Sequence, residues 1–95
     1  MNKPKKAIEK WRKVLSIKQS AEPMLALASA LHQIEPANSE IFSLTKTALQ
    51  MNPNYVSSKY QATQLWGKKL QQASSELLKE PGLSNFVSRA SANSD

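Results

Sequence analysis

The stretch from residue 22 to 55, EPMLALASALHQIEPANSEIFSLTKTALQMNPNY, leaves the chain fewest options. Met24, Leu25, Leu27, Ala28, Leu31 and Ile34 recur at helical spacing but cover most of the circumference. A helix apolar on so many sides has to be sandwiched between neighbours. Pro23 falls in its first turn, where a missing N–H does no harm, and Ser20 is the expected N-cap. Pro36 sets its end, because the residue before proline is biased away from helix. Asn38 or Ser39 then caps a second helix, with Ile41, Phe42, Leu44, Thr45, Ala48, Leu49 and Met51 on one broad face. Asn52-Pro53-Asn54 is the next turn signal, so the two helices run antiparallel.

The flanks continue the pattern. Pro4 fits a first turn, and Ala7, Ile8, Trp11, Val14 and Leu15 make one stripe behind it, broken by Gln19-Ser20-Ala21. Beyond residue 55, Val56, Tyr60, Thr63, Gly67, Leu70, Ser74 and Leu77 step by four and three, with Trp66 widening the stripe, which predicts one long helix. Gly67 weakens that helix by about 1 kcal/mol relative to alanine and is the place where it could break, although the flanking residues read as helical on both sides. Glu80-Pro81-Gly82 stops it, and Leu83, Phe86, Val87 and Ala90 open a last short one. The expected elements are five helices over residues 4–18, 21–34, 38–52, 56–79 and 83–91, forming one all-α domain.

Sliding the chain against itself by 34 residues lays Ala7, Ile8, Val14, Leu15 and Ile17 onto Ile41, Phe42, Ala48, Leu49 and Met51. The same offset lays Ala28, Leu31 and His32 onto Ala62, Leu65 and Trp66, and Gln19 onto Pro53. Apolar sites meet apolar sites, and turns meet turns. A 34-residue period is that of the tetratricopeptide repeat, a helix–turn–helix unit. Residues 22–55 resemble one full repeat of this family: Leu25, Ala28 and His32 stand where its first helix usually carries Trp, Leu and Tyr, and Ala48 and Pro53 match its second helix and end. Ser29, Ile41, Thr45 and Pro36 depart from the pattern. The flanks resemble half-repeats, with the last helix as a cap over the exposed end of the long one. The resemblance implies an antiparallel helical array, a solenoid fragment whose first helices line a concave groove for a partner peptide or helix. It makes Ala26, Ala30, Gln33, Tyr60, Gln64 and Lys68 the groove residues. The family's basic, asparagine-containing clamp for acidic C-termini is not recognisable.

Composition narrows the classes. The 95 residues contain no cysteine and a single histidine, which removes disulfides, thiolate metal sites and a zinc centre from consideration. No apolar run reaches the ~18 residues of a membrane span, and a cytoplasmic location is expected by default. The net charge of +6 is local, because Lys3, Lys5, Lys6, Lys10, Arg12, Lys13 and Lys18 face only Glu9 in the first 18 residues and the remainder is neutral.

A basic helix of this kind has two sharp uses, as a seat for nucleic-acid phosphates or on an anionic membrane with Trp11 and Ile8 inserted. In that reading the patch is Lys3, Lys5, Lys6, Lys10, Arg12 and Lys13. The bland use is a solvated face on a helix whose stripe belongs to the core, which the repeat register of Ala7, Trp11 and Val14 favours. His32 lacks a paired acid at catalytic spacing and reads as structural, and Trp11 and Trp66 read as core anchors. With no phosphate-binding glycine loop and no nucleophile set beside a base, no catalysis and no cofactor are expected. The expected role is a protein-interaction module, with self-association through an exposed repeat face as a further expectation. A third reading is one regulatory domain of a longer chain, such as an enzyme bearing repeats.

Overall fold

The computed structural model describes residues 4–64 and 66–93. Lys3, Leu65 and Asp95 therefore lie outside the described residues. Within them the fold is all helical: α1 (Pro4–Ile17), α2 (Ala21–Ile34), α3 (Ser39–Met51), α4 (Ser58–Thr63), α5 (Lys68–Leu78) and α6 (Ser84–Asn93). Short 3₁₀ turns cover Pro53–Val56 and Pro81–Leu83.

α2 is the centre. Ten of its fourteen residues are buried, and α1, α3 and α5 all pack against it. Its nearly all-round apolar surface requires that environment, with Leu25 and Leu27 fully enclosed. The helix starts after Ser20, whose backbone is extended, but the Ser20 side chain makes no capping bond. At α3 the cap is real: Asn38 Oδ1 accepts from the Glu40 N–H at 2.8 Å. Asn52 Oδ1 does the same for Asn54 N–H at 3.1 Å, turning the chain into the 3₁₀ segment.

Residues 56–79, expected as one helix, form two. α4 ends at Thr63, Gln64 leaves helical geometry, and Gly67 is extended at φ −69° and ψ 164° before α5 begins. The gain is tertiary. The break turns Trp66 inward to 6% exposure, its ring 5.5 Å from that of Tyr55. Gln71 Nε2 donates to the freed Trp66 carbonyl at 2.8 Å. Burying an indole outweighs the few backbone bonds a straight helix would add.

The last helix also differs from expectation. α6 packs on α3 and on the Pro53–Val56 turn, rather than over the end of a long fourth helix. Phe86 of α6 meets Phe42 of α3 edge to face at 5.0 Å. The molecule measures 33 × 27 × 25 Å with a radius of gyration of 12.0 Å, close to the ~12 Å of a compact globule of this length.

Candidate functional site

The six residues expected to line one groove do not share an open surface. Ala26 and Ala30 are buried within α2, at 0% and 4% exposure. With α5 packed against α2, the groove expected between helices two and four has no accessible floor. What remains open along that seam is a polar cleft lined by Gln33, Lys69, Gln72 and Glu76. Tyr60 is half-buried, edge to face with Tyr55 at 5.0 Å, and its hydroxyl accepts from Asn52 Nδ2 at 3.2 Å. Gln64 lies exposed after α4, where its amide Nε2 donates to Thr63 Oγ1, and Lys68 is exposed at the start of α5. Burial of both alanines follows from the helix break, which the 34-residue register does not contain.

A cluster that sequence spacing does not reveal sits beside that seam. The half-buried Glu22 accepts from Trp66 Nε1 at 3.2 Å and from the Tyr55 hydroxyl at 3.4 Å. Burial first, then the Glu22 charge, pushes the Tyr55 hydroxyl up to about 12. Gln61, 2% exposed, donates from Nε2 to the Tyr55 carbonyl at 2.7 Å and to Ser74 Oγ at 3.1 Å. These bonds tie α2, α4, α5 and the 3₁₀ turn together, while the Gln61 carbonyl Oε1 is buried without a hydrogen-bond partner among the described residues. The cluster is structural, and its partners are too far apart in sequence for any local motif to have marked it.

His32 also finds a distant partner. Its Nε2 lies 2.9 Å from Glu80 Oε1, so the acid beside it is Glu80, 48 residues away, rather than the nearby Glu35.

α1 carries the charge. Its apolar stripe docks on the core through Leu15, with Ile8 and Trp11 packed alongside. Arg12 is spent internally: its guanidinium grips Glu40 with two bonds of 2.8 Å, bridging α1 to α3. That hydrogen bonding holds the Glu40 carboxyl below its usual value and the Arg12 guanidinium above its own. Lys10 places its ammonium 4.8 Å from the Trp11 ring. Lys5, Lys6, Lys10, Lys13 and Lys18 are exposed, and among the described residues none of them has an ion-pair partner. Val14 and Ile17 are exposed among these lysines, Ile17 at 83%. Sequence patterning assigned Val14 to the core, but among the described residues α1 packs chiefly on α2 and buries a narrower stripe.

Among the described residues no three His, Asp or Glu side chains gather where they would hold a metal, and no helix is long and apolar enough to cross a membrane. Set against known protein families, curated proteins and solved structures, the chain finds no match.

Proposed function

We propose that the chain is a non-enzymatic protein-interaction module that binds an acidic, amphipathic segment of a partner along the outer face of α1. The observation that carries this is the display of unpaired lysines around exposed Val14 and Ile17 on one helix about 21 Å long. Lysines recruit carboxylates, and the two aliphatic side chains supply the apolar contact that gives such an encounter lifetime. The α2–α3 pair, with helices in the expected register, supports a degenerate tetratricopeptide-type repeat as its origin. The break at residues 64–67 and the seat of α5 depart from that family, so the partner surface is sought on α1 and not in a concave groove.

Two competing ligands fit less well. A membrane-lying helix would insert its apolar face, yet Ile8, Trp11 and Leu15 are packed on the core. Nucleic acid favours arginine forks and stacking rings beside the charges, and here Arg12 is held by Glu40.

Titration with an acidic amphipathic helical peptide, a mixed-sequence duplex and anionic vesicles at two salt concentrations tests the assignment. The peptide is expected to bind most tightly, with loss of binding both in Lys6→Gln, Lys10→Gln, Lys13→Gln and in Val14→Ser, Ile17→Ser. Tighter binding to duplex or vesicles, steeply salt-dependent and indifferent to the Val14 and Ile17 changes, would replace the protein partner with a polyanion.

A further inference from the structure

On the opposite side of α3 from the α1 contact, α3 and α6 enclose a cavity of about 220 Å³. Its apolar lining is Leu49 and Pro53 from one wall, Phe86 and Ala90 from the other. Two cations complete it, Lys46 on α3 and Arg89 on α6. Both are exposed, and neither ion-pairs with a carboxylate among the described residues. The remaining lining groups, Gln50 and Asn93, are uncharged amides, so among the described residues nothing in the cavity wall offsets the positive charge. Lys46 leans only loosely on Phe86, its ammonium 5.9 Å from the ring centroid, at the outer limit of a useful cation–π contact of about 6 Å.

We propose that this cavity binds a small carboxylate joined to one apolar or aromatic group. Charge selects the head: a guanidinium fork and an ammonium on facing helices match a single carboxylate. The apolar lining selects the body, since a bare anion would leave the half-buried Pro53 and Phe86 in contact with water. Size sets the limit. The volume is below the ~300 Å³ at which drug-sized pockets begin, which admits one ring or short aliphatic chain and no more. Such a ligand arises as a free small acid or as the C-terminal residue of a peptide. The cavity lies away from the lysines of α1 and does not depend on the role proposed for them.

The test is a nuclear magnetic resonance titration of the whole chain, following the backbone amides of Leu49, Arg89 and Ala90. The probes are 3-phenylpropionate, 3-phenylpropanamide, inorganic phosphate, and an acetylated tripeptide ending in phenylalanine with a free or an amidated C-terminus. Saturable shifts confined to α3 and α6 are expected for the free carboxylates, weakened at least about tenfold by amidation. Lys46→Gln with Arg89→Gln, both changes of exposed side chains and with the fold checked by circular dichroism, is expected to weaken them as much. Whichever carboxylate binds more tightly identifies the source, and either result sustains the site. The proposal fails if nothing saturates by about 10 mM, if the amides bind as well as the acids, if phosphate binds as tightly, or if the double variant leaves the titration unchanged.

Discussion

The indole N–H of Trp66 donates to a carboxylate oxygen of Glu22 at 3.2 Å, joining the chain across 44 residues. A bond to a charged acceptor is worth about 1.5–3 kcal/mol where water is largely excluded. Trp66→Phe and Glu22→Gln are each expected to destabilise, and the double variant to lose less than their sum by roughly 1 kcal/mol. Urea unfolding of the four proteins measures that coupling; strict additivity would mean the contact contributes nothing.

Tyr55 makes the fold sensitive to alkali, through its burial first and the Glu22 charge second. Its hydroxyl is raised from 10.0 to about 12 in the folded chain, so the folded state holds a proton that the unfolded state releases first. The contribution is intact below pH 10 and declines as the pH rises toward 12. The decline is at most about 1.4 kcal/mol per pH unit. Tyr55→Phe should flatten this arm of the stability curve relative to the parent, and an unchanged alkaline slope would show that Tyr55 does not set it.

At acid pH the group to watch is Glu40, whose carboxyl is lowered by the Arg12 hydrogen bonds. Its stabilisation is complete above the ordinary value of 4.5 and disappears as the pH falls through the lowered one. Both side chains are partly exposed, at 48% and 39%, so the amount is expected to stay below about 1 kcal/mol. Comparing the parent with Arg12→Gln at pH 7 and pH 3 checks it: the gap between them should close at the lower pH.

Thr45 is fully buried in α3, and its hydroxyl has no hydrogen-bond partner. An isolated buried hydroxyl costs about 1–3 kcal/mol of lost hydration. Thr45→Val keeps the shape and removes the polar atom, so the melting temperature should rise. A fall would reveal that the hydroxyl is satisfied in solution, by water or by a carbonyl of the preceding turn.

Gly67 interrupts the fourth expected helix without needing to be glycine. Its φ of −69° is open to any residue, and an added Cβ would meet nothing within 4 Å. Gly67→Ala is therefore expected to stabilise by roughly 0.4–1 kcal/mol through the unfolded chain. Destabilisation would instead mean that alanine pulls the segment back into a continuous helix and displaces Trp66.

Much of the helical content was legible because proline and glycine punctuate it. The bounds of α2 and α3 follow from Pro23, Pro36, Asn38 and Pro53, each acting within a turn of its own position. Gly67 marked where a break before α5 could fall, but helical spacing on both sides favoured a continuous helix. The break is decided by what Trp66 gains on reaching Tyr55 and Glu22, and no local rule contains that distance. Two of the groove residues were misplaced with it: Ala26 and Ala30 look like small lining residues in sequence, and the structure shows them enclosed in α2, against which α5 packs. The charge on α1 was visible in full, whereas the removal of Arg12 from that surface depended on Glu40, 28 residues away.

Because the positive excess falls within the first 18 residues, most of it on α1, and the rest of the chain is neutral, the molecule is strongly one-sided in charge. An approaching anionic surface turns it before it touches. The rate at which complexes form should therefore fall with added salt more than the rate at which they come apart, so that ionic strength governs how often partners meet more than how long they stay.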